Sequence, residues 1–521
     1  MITRSPWSLD YPRQPIHAFL RDAAARDGER VALRFDDESF SFRELDDLGA
    51  AIADGFLHRG IGVGDRVLLA TANRPEWITV LHGLSQVGAA AVLGNSSWRE
   101  VELRHALSLT GCRAVVADRP VIDQLIGTSV ELPELRVSLD DGAPEGWVPL
   151  SQVVDDAATS AATVPELDAD LSRLEAVLPF SSGTTGLPKA VRHTHQSLTN
   201  AVVQRVAMFG LSDTDRLQLF LPLFTAFGPL VTLAAFASGA SVRLFRRFDA
   251  QAVLQNMEDE GITMTFGSAG VALALRDQPN LEDFDLSSLR HMIWGATPVS
   301  IDVAEEVTRR AGIRWLVAYA CTETGIANNP VHEPERWRLD SPGLPLPDTE
   351  LRVRDLESGA DVPDGAQGEI VVRGPATMLG YLPEAADADA FVDDGWLRTG
   401  DIGWIEPEGW VHVTDRAKEM IKVSGFQVAP AELEQLLLTN PEVADCAVYG
   451  IPDARTGEAP KAAVVRAVGS DLTADEVTAY VAERLARYKH LRAVVFVDAI
   501  PRNSGGKVLR RVLRDADDQR G

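Results

Sequence analysis

Through roughly its first 120 residues the chain alternates short β-rich apolar runs with stretches of helical hydrophobic period. The runs at 31–35 and 39–42 read as a hairpin, followed by a helix to about Arg59. A strand at 66–70, a helix around 77–87, a strand at 90–93, a helix at 99–109 and a strand at 113–116 come next. Strand–helix alternation of this kind predicts parallel sheets covered by helices. Between 140 and 171 the chain turns acidic, Ala-rich and weakly periodic, which reads as a connecting segment. The alternation resumes after Phe180 and continues to about Ala327. From 351 to 413 short strands such as 369–374 and 410–413 are punctuated by Gly, Asp and Pro, predicting a smaller β-rich unit. After Arg416 comes a compact α/β unit. Its helix opens at Pro430-Ala431-Glu432-Leu433-Glu434, and a strand at 446–449, a helix at 474–487 and a strand at 493–497 follow. The expected fold class is α/β. A large N-terminal domain, 1–415, carries parallel or mixed sheets covered by helices, with a β-rich subdomain at about 345–415; a small domain, 416–521, completes the chain.

One junction in this pattern carries chemistry. The apolar run Ala176-Val177-Leu178-Pro179-Phe180 empties into Ser181-Ser182-Gly183-Thr184-Thr185-Gly186-Leu187-Pro188-Lys189. Hydroxyls, glycines and one lysine are what a chain uses to wrap a polyphosphate: glycine lets backbone N–H groups turn inward, and lysine adds a point charge. The spacing is not that of a Walker loop, because Leu187 and Pro188 separate Gly186 from Lys189 and Ala190 follows. The same composition suits a mobile surface linker.

Charge and cysteine content narrow the partners. With 521 residues, two to four domains are expected. A net charge of −26 argues against nucleic acid and anionic membranes, so positive charge for a nucleotide must be confined to a local pocket. The three scattered cysteines, Cys112, Cys321 and Cys446, lack CxxC or His companions and suit a reducing compartment without disulfides or zinc. Met1 to Trp7 lack the apolar core of a signal peptide, and no run approaches a membrane span. A cytoplasmic location is expected.

Four further segments join the loop: Tyr319-Ala320-Cys321-Thr322-Glu323-Thr324; Gly395-Trp396-Leu397-Arg398-Thr399-Gly400-Asp401; 415–426, which holds Arg416, Lys418, Lys422 and Gly425; and Pro501-Arg502-Asn503-Ser504-Gly505-Gly506-Lys507. With these in order and spacing, the chain resembles the acyl-adenylate-forming superfamily of acyl- and aryl-CoA ligases, peptide-synthetase adenylation domains and firefly luciferase. The resemblance covers nearly the whole chain and is closest in character to a CoA ligase. It implies a two-step reaction needing ATP and Mg²⁺. A carboxylate attacks the α-phosphate of ATP, and a thiol such as that of coenzyme A then takes the acyl group. By resemblance, Ser181, Ser182, Gly183, Thr184, Thr185, Gly186 and Lys189 hold the β- and γ-phosphates. Thr322 touches the α-phosphate, and Glu323 helps hold the metal, a hard cation suited to oxygen. Tyr319 lies on the adenine, and Asp401, with Arg416 beside it, accepts from the ribose hydroxyls. Lys507 bridges carboxylate and α-phosphate oxygen, although 507–511 read in isolation is also a solvated basic tail. The resemblance further implies a C-terminal domain that rotates between the two steps, with Lys418 at the hinge and Lys422 and Gly425 on the face turned to the thiol.

Departures from the pattern bear on the acid. In Leu221-Pro222-Leu223-Phe224-Thr225-Ala226-Phe227-Gly228, Thr225 stands where CoA ligases usually carry His. No acidic residue lies between Leu217 and Ala237 to pair with an ammonium, so the expected substrate lacks an α-amino group. Ala320 replaces a glycine of the resembling families and removes about one methyl of room, and Trp294 precedes Gly295-Ala296-Thr297 where Ser or Gly is common. With Phe227 on the same cavity, these favour a compact aryl or short-to-medium acid over a long-chain one. A methyl in an apolar pocket is worth only about 1–3 kcal/mol. The expected acceptor is free CoA. A separate carrier protein, a luciferase-type oxidation and a non-catalytic acyl-AMP or ATP binder remain alternatives, and the oligomeric state is left open.

Overall fold

The computed structural model describes residues 2–128, 130–158, 164, 166–181, 188–393, 395–416, 419–423, 426–453, 456–485, 487–503 and 506–518. Its central strands are the apolar runs of the sequence. Arg66–Ala70, Ala90–Gly94 and Ala114–Ala117 pair in parallel and are buried almost throughout, which is why they read as continuous hydrophobic runs rather than alternating ones. They sit in an eight-stranded sheet that runs from Gly380–Leu382 through Ala190–Thr194 and Glu175–Leu178 to Val148–Pro149. A nine-stranded sheet runs from Leu344–Pro345 through Thr324–Asn328, Trp315–Cys321, His291–Trp294, Met264–Gly267 and Arg216–Leu219 to the Val31–Phe35 and Glu38–Ser41 hairpin.

One hydrophobic core joins the two sheets. Val67, Leu69 and Ala91 from the first and Leu217, Leu219 and Phe266 from the second share it with Phe42, Phe56, Trp77, Val202 and Phe236 of intervening helices. The Phe42–His58 helix starts at Ser41, which forms a capping box with Glu44, and buries Phe42, Leu45, Ile52 and Phe56 at helical spacing. Its neighbour Pro75–Gln86 approaches so closely that a Cβ on Gly49 would lie 2.2 Å from the His82 ring.

The segment at 140–171 is more than a connection. It contains the Val148–Pro149 strand and the Leu150–Ala158 helix, whose Val153 is fully buried against Gly55 of the Phe42–His58 helix. Among its described side chains Leu150, Val153 and Val154 form the apolar face, in a helix too short to stand out from the acidic, Ala-rich segment around it. The predicted 474–487 helix ends at Ala482. A β-rich sheet joins Thr3–Arg4, Glu350–Arg354, Gly368–Arg373, Trp396–Ile405 and Val411–Arg416. The smaller C-terminal domain builds a sheet from Ile421–Val423, Phe426–Val428, Val443–Asp453, Gly457–Arg466 and Ala493–Phe496. The architecture is the expected mixed α/β one, a large N-terminal sheet domain and a small C-terminal domain. No described helix is long and apolar enough to cross a membrane.

Three imidazoles inside the large domain make its stability pH-dependent. Burial holds His17 down at about 3 and His195 and His291 at about 4. Unfolded histidines titrate near 6.5. Between these values the unfolded chain therefore binds more protons, and stability is intact above pH ~6.5 and lost as pH falls below it. Asp415, pushed up to about 6 by burial, and Asp401, also raised, work in the opposite sense, but they do not offset these three imidazoles together with His193, which burial also lowers. At pH 5 each imidazole costs about 2 kcal/mol. The thermal midpoint is expected to drop between pH 7 and pH 5; a flat profile would contradict this.

Candidate active site

The parallel strands Arg216–Leu219, Met264–Gly267, His291–Trp294 and Trp315–Cys321 end along one edge of the nine-stranded sheet, the crevice where open α/β sheets bind ligands. Trp315–Cys321 then turns back antiparallel into Thr324–Asn328, leaving Thr322 and Glu323 at the tip. Two buried contacts fix this tip. His193 Nε2 lies 2.8 Å from the Thr322 carbonyl. A carbonyl only accepts, so Nε2 carries the hydrogen, and burial keeps the imidazole neutral by lowering its pKa. The Tyr381 hydroxyl donates to the Glu323 carboxylate at 2.6 Å. Burial and then the nearby carboxylate push the Tyr381 pKa far up, so the phenol remains a donor.

Tyr381 also faces the phosphate-loop neck, with Lys189 Nζ 4.8 Å from its ring centre. The neck is a closed ladder end: Ser181 N–H donates to the Lys189 carbonyl at 2.9 Å, Phe180 bridges Ala190, and His105 Nε2 lies 2.8 Å from the Pro188 carbonyl. Ser182, Gly183, Thr184, Thr185 and Gly186 lie outside the described residues, as do Lys418 and Gly425. Lys422 is placed in the Ile421–Val423 strand. Among the described residues no three His, Cys, Asp or Glu side chains gather as a metal cage. One oxygen-ligand carboxylate, Glu323, fits Mg²⁺ held largely by the phosphates of its nucleotide.

Asp401, 5% exposed, joins the two sides of the crevice. It is the cross-strand partner of Arg416, whose Nε lies 2.9 Å from Oδ1. Its Oδ2 accepts the Tyr319 hydroxyl at 2.5 Å, and Thr399 Oγ1 accepts its backbone N–H at 3.0 Å. Burial raises the Asp401 pKa, with Arg416 and the Tyr319 bond pulling it back. Burial and Asp401 push the Tyr319 pKa well up.

The C-terminal domain delivers Lys507 to the same place. Lys507 is half-buried in a turn where its N–H donates to Asn503 Oδ1 at 2.9 Å and its carbonyl accepts from Asn503 N–H at 2.8 Å. Its ammonium lies 3.8 Å from Glu419. Burial, then Arg416, lowers the Lys507 pKa, while Glu419 and Asp401 oppose the shift. The preceding Gly506, at φ 81°, sits so close to the large domain that a Cβ would lie 3.0 Å from Ser268 Oγ, just past the Met264–Gly267 strand. Beneath the turn, Arg510 pairs with Glu419 and, at 2.7 Å, with Glu434.

At the other end of the crevice, Thr225 donates its hydroxyl to the Pro222 carbonyl at 2.9 Å, within the turn that precedes the Phe227–Ser238 helix. Phe227 meets Phe266 edge-on with ring centres 5.2 Å apart. Gly295 has open space toward the Ala318 carbonyl, where a Cβ would be 3.8 Å away. Ala296 is exposed and strained at φ 65°. Ala320 is exposed opposite Gly325. Trp294 departs from expectation. It is fully buried, T-shaped against Trp315 at 5.0 Å, in the cluster under the outer helices with Val253, Val303 and Val307. Strand alternation sends Ile293 to the Phe227 side and Trp294 to the other. The indole therefore lines no open cavity.

Sequence reasoning missed Tyr381, His193, Glu419 and Arg510. Glu419 and Arg510 lie inside the charged segments 415–426 and 507–511, but the roles of all four are seen only in the folded pairings: Tyr381 with Glu323, His193 with Thr322, Glu419 with Lys507 and Arg510 with Glu419.

Comparison with known proteins gives concordant matches. The family model for the AMP-binding enzyme matches residues 20–382, and that for the AMP-binding enzyme C-terminal domain matches 432–507. A 4-coumarate–CoA ligase 3 of Oryza sativa subsp. japonica is 34% identical over 496 residues, covering 92% of this chain and 87% of the relative. Among solved structures, the anthranilate CoA ligase AuaEII in complex with anthranoyl-AMP superposes with a TM-score of 0.88 at 26% identity, covering 98% of both chains. ATP-bound MatB from Rhodopseudomonas palustris superposes with a TM-score of 0.86 at 27% identity, covering 96% of this chain and 99% of that one.

Proposed function

This chain belongs to the AMP-binding enzymes, and from that premise we propose that it activates a compact carboxylic acid without an α-amino group and passes the acyl group to coenzyme A. It is an AMP-forming acid–thiol ligase that uses ATP, Mg²⁺ and CoA. In the first step the acid's carboxylate oxygen bonds to the α-phosphorus as the bond to pyrophosphate breaks. In the second, the CoA sulfur, having lost its proton, bonds to the acyl carbonyl carbon as AMP leaves.

The observation that carries this reading is the convergence of Lys507, Arg416 and Asp401, from opposite domains, beside the Thr322–Glu323 tip. Asp401 takes the ribose hydroxyls, and Tyr319, held by Asp401, presents its ring to adenine. Lys189 and the Ser181 loop take the β- and γ-phosphates. Glu323, fixed by Tyr381, contributes to the metal site, and Mg²⁺ supplies charge neutralisation of the phosphates when bound. Lys507 bridges the attacking carboxylate and the α-phosphate. Residues 416–521 then turn about Lys418 to present Lys422 and Gly425 to the thiol. The named relatives act on 4-coumarate and anthranilate, which supports an aryl acid. Phe227 and Phe266 give such an acid an aromatic wall.

Pyrophosphate release over aryl and straight-chain acids, each with and without CoA, tests this. Turnover is expected to peak among aryl or short-to-medium acids and to fall beyond medium length, with AMP and thioester accumulating only when CoA is present. A maximum at sixteen carbons would refute the compact pocket. Thioester formed on a carrier protein but not on CoA would replace the acceptor.

A further inference from the structure

Arg205 is a buried cation without a counter-charge. It lies on the His195–Phe209 helix, 5% exposed, and its guanidinium makes no hydrogen bond or ion pair to any described residue. Its Nε is sealed from solvent and unpaired. Less deeply held arginines are neutralised: Arg510 by Glu419 and Glu434, Arg66 and Arg192 by Glu175. Burial lowers the Arg205 pKa only to about 10, so the group stays charged at neutral pH. A lone buried charge is costly, and a carboxylate arriving from outside would relieve that cost.

The surroundings say where that partner sits. The guanidinium carbon is 5.7 Å from the centre of the Phe209 ring, which itself neighbours Phe227 and Phe266. Gly325 also borders it: a Cβ there would come within 2.3 Å of Arg205 Nη2 and would displace the guanidinium from its present place. Gly325 is the cross-strand partner of exposed Ala320, and directly paired residues face the same side of a ladder. Thr322 lies two residues beyond Ala320, about 7 Å at the rise of a strand. The cation thus stands at the end of the aromatic wall, one small molecule's length from the reacting centre.

We propose that Arg205 receives a second carboxylate of the substrate, so that the acid activated is a compact dicarboxylic acid. This rests on the acid-activating reading above. A neutral tail against the same aromatic wall would leave the charge uncompensated, whereas a carboxylate both neutralises it and accepts its N–H groups.

The test is pyrophosphate release by the full chain on matched pairs: benzoate with phthalate and terephthalate, butyrate with succinate, hexanoate with adipate. Wild type is expected to favour the diacid in at least one pair. In Arg205→Met the diacid/monoacid ratio of kcat/KM in that pair should fall by about tenfold to a hundredfold, mainly through KM, the worth of a charge-assisted hydrogen bond. Arg205→Lys should restore part of it. The thermal midpoint of Arg205→Met should not fall, since the substitution removes an uncompensated charge. A monoacid preference in every pair, an unchanged ratio in the variant, or a collapse of its thermal midpoint overturns the proposal while leaving acid activation standing. No pyrophosphate from any acid overturns acid activation itself, and this inference with it.

Discussion

Replacing Lys507 with alanine is expected to slow acyl-AMP formation by about 10²–10³ while sparing thioester formation from supplied acyl-AMP. In the structure the Lys507 ammonium is half-buried beside Arg416, and that environment lowers its pKa. Its charge is kept by Glu419 and Asp401 and is placed before the reaction begins, so no reorganisation is needed as negative charge develops between carboxylate and α-phosphate. Alanine removes that fixed charge and leaves Glu419 with Arg510. On the proposed reading the thiol step uses a different face of the C-terminal domain, so it should proceed. Pyrophosphate release with ATP and acid, measured beside CoA consumption with synthetic acyl-AMP, separates the steps. Equal loss in both would overturn the two-face reading. Because the working form is the charged one and burial depresses its pKa, adenylation should also fail on the alkaline side below the ordinary lysine range near 10.4.

The α/β class was legible because parallel strands buried on both faces must be apolar runs, as at Leu68, Val92 and Val115. Lys507, Asp401 and Glu323 were picked out through the resemblance of their short motifs to those of the acyl-adenylate-forming superfamily, since each residue alone reads equally as a surface charge or a turn cap. What could not be read depends on three-dimensional pairing. Tyr381 matters through one bond to Glu323, and His193 through one to Thr322. Arg205 sits in a helix as ordinary as its neighbours, and only its lack of a carboxylate partner among the described residues makes it notable. Trp294 shows the converse. Its position beside Gly295 and Ala296 suggested the acyl cavity, yet the strand's alternation turned the indole to the opposite face. The Leu150–Ala158 helix escaped notice because it is short and lies in an acidic, Ala-rich segment, although its apolar residues Leu150, Val153 and Val154 do fall on one face.

Asp401→Ala should raise KM for ATP by about a hundredfold or more and lower stability as well. On the proposed reading two carboxylate bonds to the ribose hydroxyls are lost, each worth about 1.5–3 kcal/mol as hydrogen bonds to a charged group. The same deletion strips Arg416 of its 2.9 Å partner and leaves the Tyr319 hydroxyl without its acceptor. Breaking one side of a buried pair is more damaging than never having it, since the other side remains desolvated. Asp401→Asn separates the two effects. An amide oxygen can still accept from Tyr319, so ring placement and folding should be largely kept, while the weaker acceptor and missing charge still cost nucleotide affinity. The expected order in KM for ATP is therefore wild type, then Asn, then Ala, with the thermal midpoint dropping sharply only for Ala. ATP titrations of pyrophosphate release, paired with thermal unfolding of each variant, measure both. If Ala and Asn shift KM alike without any difference in midpoint, Asp401 acts on nucleotide alone, and its bonds to Arg416 and Tyr319 carry no structural load. If neither variant shifts KM, the ribose contact assigned to Asp401 is wrong, and the nucleotide lies elsewhere in the crevice.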